Sequence, residues 1–322
     1  MGELGSTIDE SLTRDLAARA SAAAGVAVVD VEPLTGGASS LTFTAVSAGE
    51  RIVLKVAPPG LEPRHNRDVL RQARVLRALG AAVDVPVPAV LFEDSGDPNF
   101  FAMPFVEGDC TEPLLKMGPV PDSVAEIRAR SFDAARVLRA LQAVVPDEVG
   151  LGGEPVVSLG GEIDRWTRAF TTVDPALSGE YELCAEVLYR TMPEPLPPVV
   201  THGDYRLGNT LTANGTVHAI IDWEIWSIGD PRVDLTWFLF FTDEAGHPMA
   251  PAGPSGMPSP NELLDAYGAA PPDLVWFDAL TRYKEAAATA LLVKRARKQG
   301  WDLEHAAPLL PQLVDEALAL LV

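Results

Sequence analysis

Apolar residues recur with two different periods over the first third of the chain, one typical of helices and one typical of strands. A capping-box spacing at Thr7 and Glu10 precedes an Ala/Leu-rich stretch, which predicts a helix that ends near Gly25. Apolar residues on one helical face predict a second helix over 66–79. Short apolar runs with tight connections predict β-strands, the first three in an antiparallel meander, at 26–34, 41–48, 51–57, 88–94 and 99–106.

The pattern becomes mainly helical after the polar connector 107–109. A β-structured insertion at 209–222, with Asn214-Gly215 as a hairpin signal, interrupts it, and the Pro/Gly-rich segment 246–260 is typical of a surface loop. Helices are predicted at 121–143, 160–171 and 175–191 and from near 231 to the C-terminus.

These patterns predict an α+β chain with two lobes. The first is a small, antiparallel, β-rich N-terminal lobe over 1–106, and a hinge at 103–109 follows it. The second is a larger, mainly helical C-terminal lobe over 110–322 that would carry the catalytic loop and the acceptor site.

Composition narrows the possible partners. The chain has 322 residues, with 25 Lys and Arg against 45 Asp and Glu, which gives a formal net charge of −20. This acidity disfavours nucleic acid, which needs a basic surface, and anionic lipid. The apolar runs are also too short to span a membrane. We therefore expect neither a nucleic-acid nor a membrane partner.

The cysteines and the N-terminal residues bear on location. Cys110 and Cys184 are far apart, and no Cys/His cluster suggests a zinc site. The first ten residues lack the basic and apolar regions of a secretory signal. A reducing, cytoplasmic setting is predicted. The sequence carries no signature of oligomeric state.

The densest cluster of chemically active residues lies between 201 and 235. Asp204 and Asn209 are five residues apart in a loop of small and polar residues, and Asp222 follows an apolar strand. Asn and Asp oxygens suit a hard cation such as Mg²⁺ that also binds phosphate. The carboxylate of Asp204 could then accept or orient the proton of an attacking hydroxyl. The D-x-x-x-x-N spacing is that of the catalytic loop of protein kinases.

The runs HGDYRLGN, IIDWE and GDPRVDL resemble the aminoglycoside phosphotransferase family, which includes choline kinase-like enzymes. They are most similar to the branch with a kinase-like domain fused to acyl-CoA dehydrogenases. The resemblance covers nearly the whole chain and implies a two-lobed, protein-kinase-like fold. It also implies that Asp204 is the catalytic base or orienting carboxylate and that Asn209 and Asp222 hold Mg²⁺.

Three further residues of this block are predicted to support the loop. The resemblance implies a structural role for His202 next to Asp204. Asp230 reads as the N-cap of a helix with Pro231 at its first position, and Asp234 lies one turn further on. In the family this segment supports the catalytic loop, so both aspartates are expected to be structural.

The N-terminal lobe is expected to hold the nucleotide. Lys55 lies in an apolar strand of a chain with five lysines against 20 arginines, and its compact charge suits the α- and β-phosphates. The stretch 36–40, between two strands, takes the place of a phosphate-covering loop. Gly37, Ser39 and Ser40 are its predicted contacts. No Walker A loop is present.

The helix after Lys55 departs from the family pattern. The family has a Glu that pairs with the Lys, whereas this chain has Gln72. Gln can hydrogen-bond to Lys55 but brings no charge. Asp68, four residues earlier, could substitute for the missing carboxylate. The departure motivates an alternative function, a nucleotide-binding pseudokinase or regulatory module with little turnover.

The segment 101–106 resembles a nucleotide hinge. An adenine there needs one backbone acceptor and one backbone donor. Pro104 lacks an N–H but keeps its carbonyl, and Val106 keeps its N–H. Met103, Pro104 and Val106 are therefore predicted to bind the base, although an edge strand would tolerate the proline as well.

The acceptor site is expected in the helical lobe. Its predicted residues are Asp243, Glu244, Trp276, Tyr283 and Glu285. The basic cluster 294–298 precedes Gly300 and is expected to complement a helix C-terminus. A second hypothesis makes it a dock for an anionic substrate such as a CoA ester.

The predicted function is transfer of a γ-phosphate from ATP or GTP, with Mg²⁺, to a hydroxyl of a small molecule. A protein kinase is disfavoured because Trp-Glu rather than Phe-Gly follows Asp222, and an α/β-hydrolase because no G-x-S-x-G is present. Aminoglycoside, macrolide, choline-like amine, sugar and hydroxyacyl acceptors all remain open.

Overall fold

The N-terminal lobe is a five-stranded sheet with two helices, one before the first strand and one between the third and fourth strands of the chain. The computed structural model describes residues 10–34, 40–82, 84–118, 123–250 and 253–322. The elements of this lobe are α1 (Glu10–Ala24), β1 (Val28–Pro33), β2 (Leu41–Ser47), β3 (Glu50–Val56), α2 (Val69–Leu79), β4 (Phe92–Asp94) and β5 (Phe100–Pro104).

The sheet is antiparallel, with the strand order β1-β2-β3-β5-β4. The predicted meander holds for the first three strands, but β5 pairs with β3 and leaves β4 at the edge. The reason is burial: Phe100, Phe101 and Ala102 are all buried and need neighbours on both sides, whereas β4 is short and partly exposed. The opposite edge, β1, is interrupted by a bulge between Val29 and Glu32.

The helix predicted over 66–79 begins three residues later than expected. Asp68 is its N-cap, and the carboxylate accepts a hydrogen bond from the amide of Arg71 at 3.0 Å. Ser, Asp and Asn favour this position because they satisfy amides that have no partner within the helix. Asp68 thus has a capping role, rather than the predicted one of replacing a carboxylate beside Lys55.

The C-terminal lobe combines helices with two short antiparallel strand pairs. Its helices pack around two larger apolar cores, one of which also includes residues of the N-terminal lobe. The elements are α3 (Val124–Gln142), α4 (Leu159–Phe170), α5 (Tyr181–Arg190), β6 (Val199–Thr201), β7 (Thr210–Ala213), β8 (Thr216–Ile220), β9 (Ser227–Gly229), α6 (Arg232–Phe240), α7 (Pro260–Tyr267), α8 (Leu274–Gln299) and α9 (Leu309–Leu321).

The hairpin predicted at Asn214-Gly215 is confirmed as the turn between β7 and β8. Both residues have positive φ, 52° and 75°, as a tight hairpin turn requires. The pairing of β6 with β9, by contrast, has no sequence signal, because the two three-residue strands are separated by the whole hairpin. Together these pairs hold both ends of the loop that carries Asp204.

Helix α2 joins the two lobes. Its buried residues Val69 and Leu76 belong to the same core as Tyr205, Trp223 and Trp226 of the C-terminal lobe. The position of α2 is therefore fixed from the C-terminal side as well as from the sheet. Within the described part of the chain, none of the helices combines the length and apolarity needed to cross a membrane.

Candidate active site

The carboxylate of Asp204 is held by three donors. Oδ1 accepts from Nε1 of Trp237 at 2.7 Å and from Nε of Arg206 at 3.3 Å, and Oδ2 accepts from Nδ2 of Asn209 at 2.8 Å. The side chain is still 27% exposed. Its oxygens are thus fixed in direction and remain accessible to a second molecule, as a general base or orienting group requires.

Asn209 and Asp222 are brought together by the backbone of the hairpin. The amide of Ile221 donates to the carbonyl of Asn209 at 3.0 Å, so that Asp222 follows directly beside it. Nδ2 of Asn209 donates to two oxygens of Asp204, its Oδ2 and its main-chain carbonyl, which leaves Oδ1 of Asn209 directed away from them. A free amide oxygen beside a carboxylate is a donor set that fits Mg²⁺.

Asp222 adopts a conformation that is unusual for a residue with a side chain. Its φ is +66° and its ψ is 53°, in the left-handed region. Such strain persists where the surrounding structure enforces it, and it is enriched at functional sites. Here it turns the chain out of β8 and directs the carboxylate, 33% exposed, towards the N-terminal lobe.

Lys55 reaches across from β3 to Asp222. Its Nζ lies 3.4 Å from Oδ1 of Asp222, and the side chain is only 11% exposed. Gln72, predicted to face Lys55, is buried on α2, and its Nε2 has no hydrogen-bond partner. Lys55, the predicted phosphate-binding cation, is therefore paired with Asp222, one of the two predicted Mg²⁺ ligands.

Part of the predicted phosphate-covering loop can be placed. Gly37 and Ser39 lie outside the described residues. Ser40 is buried at the start of β2, and its Oγ has no hydrogen-bond partner. A buried hydroxyl without a partner is costly.

Strand pairing fixes the direction of the backbone groups of the predicted hinge. Met103 pairs with Val53, and the amide of Phe105 donates to the carbonyl of Arg51 at 3.0 Å. Because hydrogen bonding alternates along an antiparallel ladder, the carbonyl of Pro104 and the N–H of Val106 are directed away from β3. They face the side where β4 has already ended.

His202 and Asp234 support the loop from behind. The amides of His202 and Gly203 donate to the two oxygens of Asp234 at 2.5 and 2.9 Å. Nε2 of His202 lies 2.9 Å from the carbonyl of Ile221, and its Nδ1 accepts from the amide of Asp204 at 3.2 Å. Burial raises the pKa of Asp234, and the nearby His202 and Lys284 oppose that rise.

Gly203 is required where it stands. Its φ is +86°, and a Cβ there would lie 2.6 Å from the carbonyl oxygen of Ile225. No other residue fits between the loop and the segment after Asp222 without moving the backbone. The close approach keeps Asp204 and Asp222 at a fixed separation.

Asp230 is bound in a buried ion pair. Its carboxylate accepts from Nε and Nη2 of Arg232 at 2.9 and 2.7 Å, from the amide of Arg232 at 3.0 Å and from the amide of Leu196 at 2.8 Å. Both side chains are almost wholly buried. Asp230 accepts the first amide of α6, as an N-cap does, although α6 itself begins only after Pro231.

The predicted acceptor residues fall into different places. Trp276 and Tyr283 are core residues: Nε1 of Trp276 donates to the carbonyl of Leu188, and the hydroxyl of Tyr283 lies 2.9 Å from that of Thr167. Both aromatic rings pack inward because α8 is buried along this face, so that prediction is wrong. Asp243 and Glu244 accept hydrogen bonds from residues of their own surface loop, Ala245 and Ser255.

Among the predicted acceptor residues, Glu285 is the one whose carboxyl interacts with the charge of Asp204. It is buried on α8, and its carboxyl interacts with the charges of Asp204, Arg206 and Lys284. Thr289 donates to its Oε1 at 2.8 Å. Burial raises the pKa of Glu285 to about 7.

A pH-dependent stability follows from Glu285. Between its ordinary pKa of 4.5 and about 7, the folded protein holds a proton that the unfolded chain has released, so the free energy of unfolding falls as pH rises. We expect Glu285→Gln to be more stable than the wild type at pH 8 by about 3 kcal/mol and similar to it near pH 4.5. Urea unfolding at several pH values measures this, with the exposed Asp315→Asn as control. Parallel pH curves for Glu285→Gln and the wild type would contradict the assignment.

Sequence patterns missed several residues around Asp204. Lys284, on α8, is buried, donates through Nζ to the carbonyl of Gly203 and lies 3.7 Å from the ring centroid of Trp237. Burial lowers its pKa, while the Asp204 charge opposes that effect. The scarcity of lysine could have singled it out. Trp237 lies in an apolar helix and has no such signal.

Glu112 and Arg206 form a second pair behind the loop. Nη1 of Arg206 lies 3.1 Å from Oε2 of Glu112, which also accepts from the amide of Gly208 at 3.0 Å. Burial raises the pKa of Glu112 to about 7, against the opposing charge of Arg206. Burial alone would lower the pKa of Arg206, but Asp204 and Glu112 raise it above its usual value.

Two residues of the basic cluster 294–298, Lys294 and Arg297, have partners within the chain. Arg297 pairs with Glu304 at 2.7 Å and with Asp174 at 3.2 Å, and Nζ of Lys294 donates to a main-chain carbonyl at 2.6 Å. Helix α8 ends here with Gly300 in the left-handed conformation. These contacts favour the role at the helix C-terminus over a dock for an anionic substrate.

Comparison with known proteins gives a match over most of the chain. The model of the phosphotransferase enzyme family matches residues 30–280. Human acyl-CoA dehydrogenase family member 11 is 27% identical over an alignment of 256 residues, and the match covers 75% of this chain and 32% of that protein. The chain thus spans about a third of the length of this relative.

Solved structures share the fold. A protein from Ralstonia eutropha, provisionally assigned as an aminoglycoside phosphotransferase, has a TM-score of 0.72 and 23% identity and covers 91% of this chain and 92% of its own. A thermostable mutant of the aminoglycoside phosphotransferase APH(4)-Ia, in a ternary complex with AMP-PNP and hygromycin B, has a TM-score of 0.66 and 16% identity, covering 97% and 99%. The predicted two-lobed, protein-kinase-like fold is confirmed.

Proposed function

Because the chain belongs to the phosphotransferase enzyme family, we propose that it transfers the γ-phosphate of ATP to a hydroxyl of a small molecule. One observation carries the proposal. Asp204 and Asn209 lie in contact at 2.8 Å, and Lys55 and Asp222, from the two lobes, at 3.4 Å. The backbone hydrogen bond from Ile221 to Asn209, at 3.0 Å, joins the two pairs. These are the group types that phosphoryl transfer uses.

Asp204 would act on the acceptor. Trp237 and Arg206 occupy its Oδ1 and Asn209 its Oδ2, which keeps the carboxylate from rotating. A hydroxyl placed against it would donate its proton towards the carboxylate while its oxygen approaches the γ-phosphate. Such fixed orientation supplies much of the rate in a reaction with little covalent chemistry for the protein to perform.

The nucleotide would lie between the lobes. The Pro104 carbonyl and Val106 N–H would bind the base, and Lys55 and Ser40 would contact phosphate oxygens. AMP-PNP, an ATP analogue, in the complex of APH(4)-Ia supports this choice of donor. Asn209 and Asp222 would hold Mg²⁺, which when bound neutralises phosphate charge.

The alternative is a nucleotide-binding module with little turnover. The observation that favours it is the buried Nε2 of Gln72, which has no partner where the family places a charged Glu. Against it stands the intact set around Asp204. ADP release over a panel of hydroxyl compounds separates the two, since the alternative requires nucleotide binding without turnover on any acceptor.

Lys55 provides the direct test of the nucleotide site. We expect Mg-ATP to raise the melting temperature of the wild type and Lys55→Met to raise the KM for ATP about tenfold or more, because a charge-assisted contact to phosphate is lost. The exposed Lys116→Met is a control of equal charge change. An unchanged melting temperature with Mg-ATP, or an unchanged KM in Lys55→Met, would refute the proposed site.

A further inference from the structure

Arg71 of α2 and Trp226 of the C-terminal lobe are joined by a reciprocal contact. Nη1 of Arg71 donates to the carbonyl of Trp226 at 2.9 Å, and Nε1 of Trp226 donates to the carbonyl of Arg71 at 3.2 Å. The guanidinium carbon lies 3.9 Å from the indole ring centroid. Because Trp226 is only 1% exposed, this cation–π contact is largely shielded from water and stronger than a surface one.

Glu154 completes the contact. Nη2 of Arg71 lies 3.1 Å from its Oε2, and Arg74, one turn along α2, pairs with the other oxygen. The side chain of Glu154 is only 10% exposed, whereas that of Arg74 is 55% exposed. We call Arg71, Trp226 and Glu154 the interlobe clamp. Arg71 is its central member because it alone of the two arginines contacts Trp226.

Both sides of the interlobe clamp are connected to residues of the proposed nucleotide site. Helix α2 packs against β5, which pairs with β3 through Lys55 and Phe101. On the other side, Trp226 follows Asp222 by four residues in a segment fixed by the buried ring of Trp223. The contact therefore sets the position of Lys55 relative to Asp222.

We propose that Arg71 is a positioning residue that assembles the nucleotide site through the interlobe clamp. Gln72 supplies no charge that could pair with Lys55 and so position α2. Arg71 positions α2 instead, and it thereby keeps Lys55 and Asp222 within contact distance before a nucleotide binds. The consequence for binding rests on the proposed function. Loss of the clamp lowers the fraction of molecules with an assembled site, and the apparent nucleotide affinity falls by the same factor.

Arg71→Met tests the clamp, with Arg74→Met as the matched control. The control removes the same charge from the same helix and the same partner, Glu154, but leaves the contact with Trp226. In the nucleotide-free full-length protein, we expect faster hydrogen exchange in Arg71→Met at both 69–79 and 222–229, and wild-type rates in Arg74→Met. The affinity for Mg-ADP should fall about tenfold in Arg71→Met only.

The outcomes separate a positioning role from a purely structural one. A structural role alone would lower the melting temperature without weakening Mg-ADP binding to the folded protein, and that result overturns the proposal. Equal exchange rates in Arg71→Met and Arg74→Met also overturn it. If the wild type itself does not bind Mg-ADP, the proposed function falls, while the exchange comparison still decides whether the clamp couples α2 to the Asp222 segment.

Discussion

Asp204→Ala is expected to lower turnover by about 10³-fold, because it removes the group that accepts or orients the proton of the attacking hydroxyl. The affinity for Mg-ADP should stay close to that of the wild type, since Asp204 is not among the residues proposed to bind the nucleotide or Mg²⁺, although it orients the amide of Asn209. ADP release measures turnover, and calorimetry with Mg-ADP measures binding.

Two variants sharpen this experiment. Asp204→Asn keeps the size of the side chain and an oxygen for Trp237, so a loss of turnover equal to that of Asp204→Ala would assign the effect to the carboxylate charge. Asp315→Ala removes an exposed carboxylate of the same lobe and should leave turnover unchanged. Wild-type turnover in Asp204→Ala is incompatible with the assigned role.

Asp230→Ala is expected to destabilise the fold by about 3–5 kcal/mol. The variant leaves the guanidinium of Arg232, whose side chain is 0% exposed, buried without its bidentate partner. It also frees the amide of Leu196. Chemical denaturation, with the free energy of unfolding extrapolated to water, measures the loss.

The surroundings of Arg232 offer both a control and a rescue. Asp273 also pairs with Arg232, at 3.2 Å, but its side chain is 48% exposed, so Asp273→Ala should cost no more than about 1 kcal/mol. The double variant Asp230→Ala/Arg232→Met removes the stranded charge as well and should recover part of the stability. If the double variant lost more free energy of unfolding than the two single variants lose together, a buried charge would not be the cause.

Local patterns predicted most of the fold because most of its elements are specified locally. The strands β1 to β3 are joined by short turns, and the β7–β8 turn has the residues that positive φ demands at Asn214 and Gly215. The order of β4 and β5 was not predictable in this way. The order depends on which of the two strands buries both of its faces. That burial involves Phe101, which lies in a core shared with the helical lobe, so the sequence around the two strands does not indicate it.

The candidate site shows the same division. Asp204, Asn209 and Asp222 have a recognisable spacing in one stretch of the chain. Trp237 and Lys284 reach Asp204 from α6 and α8, where their neighbours in the sequence are ordinary core residues. Hydrophobic periodicity cannot separate a tryptophan that donates to a functional carboxylate from one that fills space, because both are buried.

The same limit explains the incorrect acceptor residues. Trp276 and Tyr283 lie on a helix whose buried face extends almost around its circumference, so their aromatic side chains are inside the lobe and not in a cleft. Glu285 is the opposite case, since a carboxylate in that environment is uncommon. Its burial beside Lys284 is a better indication of proximity to the site than its chemical type.

The two ends of the N-terminal sheet have a consequence for self-association. Exposed strand edges are templates for addition of a strand from another molecule, which leads to aggregation. On β1 the bulge between Val29 and Glu32, followed by Pro33, breaks the regular row of donors and acceptors. On β4 only three residues pair, and Glu93 and Asp94 place charge on the edge. Both edges therefore disfavour the addition of a strand from another molecule.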